Sequence, residues 1–311
     1  MRILIVGCGY VGLELGRRLA SSGAEVVGLR RRGDDDGAQG RAGLRAVRGD
    51  VTRPGDLEAI PGDFDAVVST VSSGRGGLDA YQQVYLGGAR NLVDWARRRR
   101  PGRLVWVSST GVYGQSDGTW VSEESPTAPD EPTARCLVAA EQAIAEGTRL
   151  GVVPIQIVRV AGIYGPGRGH LFHQFIAGEA RPDPSRSQWI NMIHRDDVAS
   201  ALEAVLHRGQ PGRIYNAVDD EPVTRDDFLG YLSRATGLPM PTAAESGGSA
   251  EPGGSVPTRK RGSTNKRVSN RRLREELGWS PRFPTWREGY AGAIAGVISA
   301  TRHRDDPGAP G

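Results

Sequence analysis

The sequence predicts an α/β protein built on a doubly wound, mostly parallel sheet with a smaller C-terminal region. Three observations predict it. Short runs rich in Val, Ile and Leu recur through the first half, amphipathic helical patterns lie between them, and a glycine-rich turn joins the first run to the first helix. Alternating β and α at this spacing gives parallel strands, because each crossover helix carries the chain back to the same edge of the sheet.

Residues 2–6, Arg2-Ile3-Leu4-Ile5-Val6, are the kind of unbroken apolar run that is buried on both faces of a parallel sheet. Similar runs at 25–29, 44–47, 65–70, 103–108 and 153–160 supply the next strands. Helical periodicity is clearest at 11–22, 78–98 and 133–149. The second of these ends in Arg97-Arg98-Arg99-Arg100 before Pro101-Gly102. Cations suit the negative end of a helix dipole, so the arginine run reads as a helix end rather than a nucleic-acid patch. The second half predicts a helix at 171–177, a strand at 189–193, a helix at 196–207 and a strand at 213–217. Helices follow at 225–235, 270–277 and 286–298. Residues 243–263, rich in Gly, Ser and Pro, predict a flexible loop, and 302–311 a frayed tail.

The chain has 311 residues, enough for a real core without disulfides or a structural metal. Its net charge of +4 is small for that length, which argues against nucleic acid as a partner. No run approaches the roughly 18 apolar residues of a membrane span. Met1 leads straight into the first strand, so the expected setting is cytoplasmic. Cys8 and Cys136 match no metal-ligand spacing, and His170 and His173 have no third ligand in sequence; no metal is expected.

Gly7-Cys8-Gly9-Tyr10-Val11-Gly12 sits between the first strand and the first helix. The first glycine permits a tight turn, the second lets backbone approach a pyrophosphate, and the third allows close helix–strand packing. Free amides at the helix start then face the phosphates. This predicts a Rossmann dinucleotide site in which Gly7, Gly9, Tyr10, Val11 and Gly12 bind cofactor. At the end of the second strand the chain has Leu29-Arg30-Arg31-Arg32 in place of an acidic residue. Arg30 and Arg31 suit a ribose 2′-phosphate, so NADP(H) is expected over NAD(H). Residues 1–165 form the dinucleotide-binding domain, to which 189–218 return, and 166–301 are mainly a substrate region.

With Gly49-Asp50-Val51, Ser108-Ser109-Thr110-Gly111-Val112-Tyr113-Gly114, Arg159, Tyr164-Gly165-Pro166-Gly167 and Asn191-Met192-Ile193-His194-Arg195-Asp196-Asp197, nearly the whole chain resembles the extended short-chain dehydrogenase/reductases. These are the NAD-dependent epimerase/dehydratase family. Asn265-Lys266-Arg267-Val268-Ser269-Asn270 and Glu276-Leu277-Gly278-Trp279 add to the likeness. The resemblance implies cofactor contacts from Asp50, Val51, Thr70, Val71 and Ser108. It implies ketone reduction, alcohol oxidation, epimerisation or dehydration, with Ser109 orienting a substrate oxygen.

One part of the family pattern is missing. The family uses a tyrosine acid/base with a lysine four residues later that lowers the tyrosine pKa and holds the nicotinamide ribose. Aligned on Ala139-Ala140-Glu141, Thr133 stands where Tyr belongs and Leu137 where Lys belongs. Only Lys260 and Lys266 among the 40 basic residues are lysine, and no tyrosine is followed four residues later by lysine. Tyr113, Tyr164 and His194 are the candidate replacements, with Thr133 a poor acid. Tyr113 and Tyr164 equally suit packing roles, and His194 a structural one at a helix start. Thr110, Tyr113, Arg159, Tyr164, Arg168, Trp189 and Asn191 are candidate substrate contacts. Arg159 suits an anionic substrate or a buried ion pair, while Trp189 and Asn191 suit sheet packing and a turn. Three functions stand open. They are, in order, an atypical NADP(H)-dependent oxidoreductase acting on a small polar carbonyl or sugar-like molecule, a non-redox lyase, isomerase or cyclase, and a silent NADP-binding sensor. The resemblance also implies a homodimer through helices 78–98 and 133–149, with Tyr81, Val84, Tyr85, Leu92 and Trp95 as apolar surface.

Overall fold

A computed structural model describes residues 1–74, 76–183, 188–242 and 264–305. The loop expected at 243–263 and residues 306–311 of the tail lie outside the described residues. Seven strands form the central sheet: β1 (Arg2–Val6), β2 (Glu25–Arg30), β3 (Arg45–Arg48), β4 (Ala66–Ser69), β5 (Leu104–Ser109), β6 (Ile155–Val160) and β7 (Ile214–Ala217). All neighbours are parallel, in the order β7-β6-β5-β4-β1-β2-β3. The chain grows outward from β1 to β3, then resumes on the other side of β1 with β4. That reversal opens a crevice beyond the carboxyl ends of β1 and β4, where ligands of such sheets sit.

The unbroken apolar runs are explained by burial on both faces. Ile3 and Ile5 pack with Leu15 and Leu19 of the Tyr10–Ser21 helix and Leu202 and Val205 of the Arg195–Arg208 helix. Leu4 and Val6 pack on the opposite face with Leu92 and Trp95 of the Gly88–Arg99 helix and Ile144 of the Pro132–Arg149 helix. A third core joins Phe172, Met192, Phe228, Trp286 and Tyr290. No helix among the described residues is long and apolar enough to cross a membrane.

The structure departs from the sequence expectations in three places. The strand expected at 189–193 is two strands in different sheets. Trp189–Ile190 pairs antiparallel with Val223–Thr224, and Met192–His194 pairs parallel with Gly162–Tyr164. Asn191 makes the break: its side-chain amide donates to the Lys266 carbonyl at 2.9 Å and accepts from the Val268 amide at 2.8 Å, turning the chain between the halves. The helix expected at 78–98 widens at Gln82–Gly87 into a π-turn between Leu78–Tyr81 and Gly88–Arg99. The last helix, Trp286–Asp305, runs past residue 298.

A buried polar network ties β6 and β7 to the helices. Arg159 on β6 donates from Nε to Glu141 Oε1 at 3.0 Å and from Nη2 to Glu141 Oε2 at 2.7 Å. Its Nη1 donates to the Tyr113 hydroxyl at 2.9 Å, and that hydroxyl donates to Asn216 Oδ1 on β7 at 2.8 Å. The Asn216 amide donates to Glu123 Oε1 at 2.7 Å. Burial opposes the Arg159 charge, but its bond to Glu141 and their attraction outweigh it and hold the guanidinium charged. Arg159→Met leaves Glu141 buried without its cation, and is expected to lower the unfolding free energy by about 3–5 kcal/mol in urea titrations. The double variant Glu141→Leu/Arg159→Met should regain most of that loss, and a double variant no more stable than the single one would count against the network.

Candidate functional site

The crevice is built from the turns after β1 and β4. Gly7 adopts φ +86°, and a Cβ there would lie 2.7 Å from the Val71 Cα. The Thr70 hydroxyl donates to the Gly7 carbonyl at 3.0 Å. At Gly12 a Cβ would stand 2.6 Å from Thr70 Oγ1 and 3.0 Å from Ile5 Cγ2, so the helix lies directly on the strands. Gly9 differs. It is exposed, and a Cβ there would meet nothing nearer than the Gly7 carbonyl oxygen at 3.8 Å. The helix it opens has no side-chain cap and no acidic residue in its first turn. Two glycines are required by the protein's own packing, and the middle one faces open space beside uncapped amides. These are the steric and electrostatic features of a phosphate cradle. The residues present therefore fit a dinucleotide.

Tyr10, first in that helix, lies under two cations. The guanidinium carbons of Arg168 and Arg195 each stand 5.2 Å from its ring centroid, and its hydroxyl donates to the Pro166 carbonyl at 3.1 Å. Arg195 pairs with Asp196 at 2.9 Å; Arg168 is exposed and makes no ion pair among the described residues. Only the three-dimensional fold brings the Gly165–Gly169 turn over Tyr10, so sequence reasoning did not single out Arg195.

At the end of β2, Arg30 bonds Asp36 at 2.6 Å and also donates to the Gly33 carbonyl. Arg31 and Arg32 are exposed and make no ion pair among the described residues. Asp50 accepts from the Thr52 amide, and the Val51 carbonyl accepts from the Asn91 side chain. Ser108 is buried with its hydroxyl unpartnered, while Ser109, half-buried at the end of β5, accepts from the Gly111 amide at 3.1 Å. Thr110 beside it is buried.

The candidate replacement acids differ in placement: His194 Nε2 lies beside Gly165 together with the Tyr10 hydroxyl, whereas Tyr113 and Tyr164 are buried. Tyr113 is fully buried with its hydroxyl engaged by Arg159 and Asn216. Tyr164 is buried against Tyr290, with ring centroids 4.4 Å apart, and burial raises its pKa further. His194 caps the Arg195–Arg208 helix, its Nδ1 accepting from the Asp196 amide at 3.2 Å, and its ring lies 4.2 Å from that of Phe283. Burial lowers its pKa, favouring the neutral ring that the cap requires. Trp189 stacks with Arg267, and Asn191 holds the Arg267–Val268 strand. Thr133 is half-buried in the first turn of the Pro132–Arg149 helix, and Leu137 is buried among Val112, Val158 and Val160. Lys266 is buried elsewhere, its ammonium donating to Thr264 at 3.0 Å, and burial pushes it down to about 8.

This arrangement agrees with the match of a family model. The model of the NAD-dependent epimerase/dehydratase family covers residues 3–217. The chain belongs to that family. It is 30% identical over 288 residues to protein YeeZ of Escherichia coli strain K12, with 91% of this chain and 96% of YeeZ covered. It is 26% identical over 320 residues to the 3-diazoavenalumate denitrifying reductase of a Streptomyces species, with 93% and 99% covered. Among solved structures, a conserved protein of unknown function from Silicibacter pomeroyi DSS is 30% identical, with a TM-score of 0.72 and 95% and 99% covered. In this epimerase/dehydratase family member the glycine turn and the uncapped helix start lie together at the carboxyl edge of the sheet.

Two measurements follow from this geometry. Gly9→Ala should keep the wild-type melting temperature but weaken NADPH binding at least about tenfold by calorimetry, because its methyl group fills the cradle rather than the core. Gly12→Ala should lower both. Unchanged NADPH affinity in Gly9→Ala would remove Gly9 from the site. Asp219, just beyond β7, has one carboxyl oxygen buried without a partner, and burial pushes the group up to about 9. The unfolded chain ionises this group near its ordinary pKa while the fold keeps it protonated, so its cost grows as pH rises from about 4 towards 9. Asp219→Asn should therefore stabilise the protein by about 1 kcal/mol or more at pH 7.5, with the two melting curves converging near pH 4.

Proposed function

We propose that the chain is an NADP(H)-dependent oxidoreductase acting on a small polar carbonyl or sugar-like substrate. The observation that carries the reading is the open cradle at Gly9, set between two glycines whose own contacts leave no room for a side chain. The free arginine side chains at Arg31 and Arg32 support NADP(H) over NAD(H), because guanidinium groups pair with a 2′-phosphate and an acidic residue would repel it. A bound nicotinamide supplies or accepts hydride. The protein's share is to hold the pyrophosphate on the Gly7–Gly12 turn, to line the path with Thr70, Val71 and Ser108, and to orient a substrate oxygen at Ser109. Arg168, exposed beside Tyr10, is available to an anionic group of cofactor or substrate, whereas Arg159 is committed to Glu141.

Thr133 and Leu137 favour a second reading. A site without the tyrosine–lysine pair also suits non-redox chemistry on the same fold, with the cofactor retained for structure.

The protein acts in the cytoplasm as a homodimer in this proposal, through the helices at 78–99 and 132–149. Leu92 and Trp95 are buried in the sheet core, which leaves Tyr81, Val84 and Tyr85 of the expected apolar surface, each half-buried. Calorimetric titration of cofactor-free protein tests the core of the reading. NADPH should bind at least about tenfold tighter than NADH, and Arg31→Ala should erase most of that difference. Equal or tighter binding of NADH overturns the NADP(H) assignment. Product formed without net cofactor consumption favours the non-redox reading.

A further inference from the structure

The missing acid leaves a question that the eight tyrosines can answer by elimination. Tyr113, Tyr164, Tyr215 and Tyr290 are buried in the core, and Tyr231 packs edge-on against Trp286. The Tyr10 hydroxyl is bonded to Pro166 over the phosphate turn. Tyr81 and Tyr85 remain, with ring centroids 5.0 Å apart at the π-turn Gln82–Gly87. π-turns inside helices are rare and recur at functional sites.

Tyr85 is half-buried and packs against the cores of both sheet faces, which puts it at the seam over the sheet's edge. Ser72 and Ser73 favour ionisation of its hydroxyl, against the burial that raises its pKa. These serines directly follow Val71, the residue that backs Gly7, so the segment that acts on the phenol continues the one that backs the glycine turn. The same π-turn runs against the Pro132–Arg149 helix, where the Leu86 backbone meets the Cys136 thiol between Thr133 and Leu137.

We propose that Tyr85, carried into the crevice by the π-turn, is the proton-transfer group of this site in place of the tyrosine missing at Thr133. The inference rests on the nicotinamide reading above. In the reducing direction the phenol O–H bond breaks and its proton passes to the substrate's carbonyl oxygen, while hydride from a reduced nicotinamide reaches the carbonyl carbon to give an alcohol. The phenolate regains a proton from solvent through Ser73 and the exposed Ser72. Burial raises the Tyr85 pKa, and Tyr81 is its titratable neighbour. A cationic nicotinamide beside the phenol acts in the opposite sense and favours the phenolate.

The test needs no substrate. Calorimetric titration of the protein with NADP⁺ at about pH 9, in two buffers of different ionisation enthalpy, counts protons released on binding. Wild type should release protons, with a matching rise in near-ultraviolet tyrosinate absorbance. Tyr85→Phe should lose the release while its NADP⁺ affinity stays within about threefold of wild type, and Tyr81→Phe should keep it. Equal release from Tyr85→Phe and wild type overturns the proposal. So does a wild-type release without the tyrosinate signal, a result that does not depend on the variant folding. Wild-type protein that fails to bind NADP⁺ removes the cofactor reading itself, and this proposal with it.

Discussion

The close approach of the β1 and β4 turns is the constraint on which the rest of the cleft depends. Gly7 lies against Val71 with no space for a side chain, and Thr70 closes the contact with its bond to the Gly7 carbonyl. Because Gly12 rests on Thr70 and Ile5, the first helix is fixed in both direction and height above the sheet. The open face at Gly9, the position of Tyr10 under its two arginines, and the course of Ser72 and Ser73 all follow from this one contact. A protein interior packed this tightly transmits a small displacement rather than absorbing it.

A second set of constraints holds the opposite side of the cleft. Arg159, Glu141, Tyr113, Asn216 and Glu123 join β6, β7, the Pro132–Arg149 helix and the segment after β5 through buried bonds. Buried ion pairs are poor sources of net stability, but a fully satisfied network admits few alternative packings. Tyr113 belongs to this network, and each of its polar contacts is used inside the core. A tyrosine so placed stiffens the floor of the site and has no access to a substrate oxygen. His194 is similar, since the nitrogen that caps the helix must stay unprotonated.

The sheet was legible because burial on both faces leaves an unbroken apolar run that little else produces, as in Ile3-Leu4-Ile5-Val6. The glycine turn was legible because its spacing carries its own steric reason. What escaped were features decided by partners distant in sequence. Asn191 breaks a strand only because Lys266 and Val268 arrive beside it. Arg30, Arg31 and Arg32 look equivalent in sequence, yet Asp36 engages the first alone. The π-turn at Gln82–Gly87 leaves helical periodicity nearly intact, so the helix was visible and the bulge that holds Tyr85 was not.

The proposed site takes its acid from another wall, and Leu137 gives the reason. The side chain is buried in the apolar core that also holds Val112, Val158, Val160 and Ala161, where an ammonium is costly to bury. Once that position is apolar, a tyrosine at Thr133 would lack the lysine four residues on that favours its ionised form, so restoring the phenol alone would not restore the pair. The loop after β4 meets the crevice from the other side, and its serine hydroxyls offer bonds that an apolar helix face cannot. The widened turn, Gln82–Gly87, precedes Leu92 and Trp95, which stay in the core below. The proposal therefore joins the apolar Leu137 on one helix and the π-turn in its neighbour as two halves of one site.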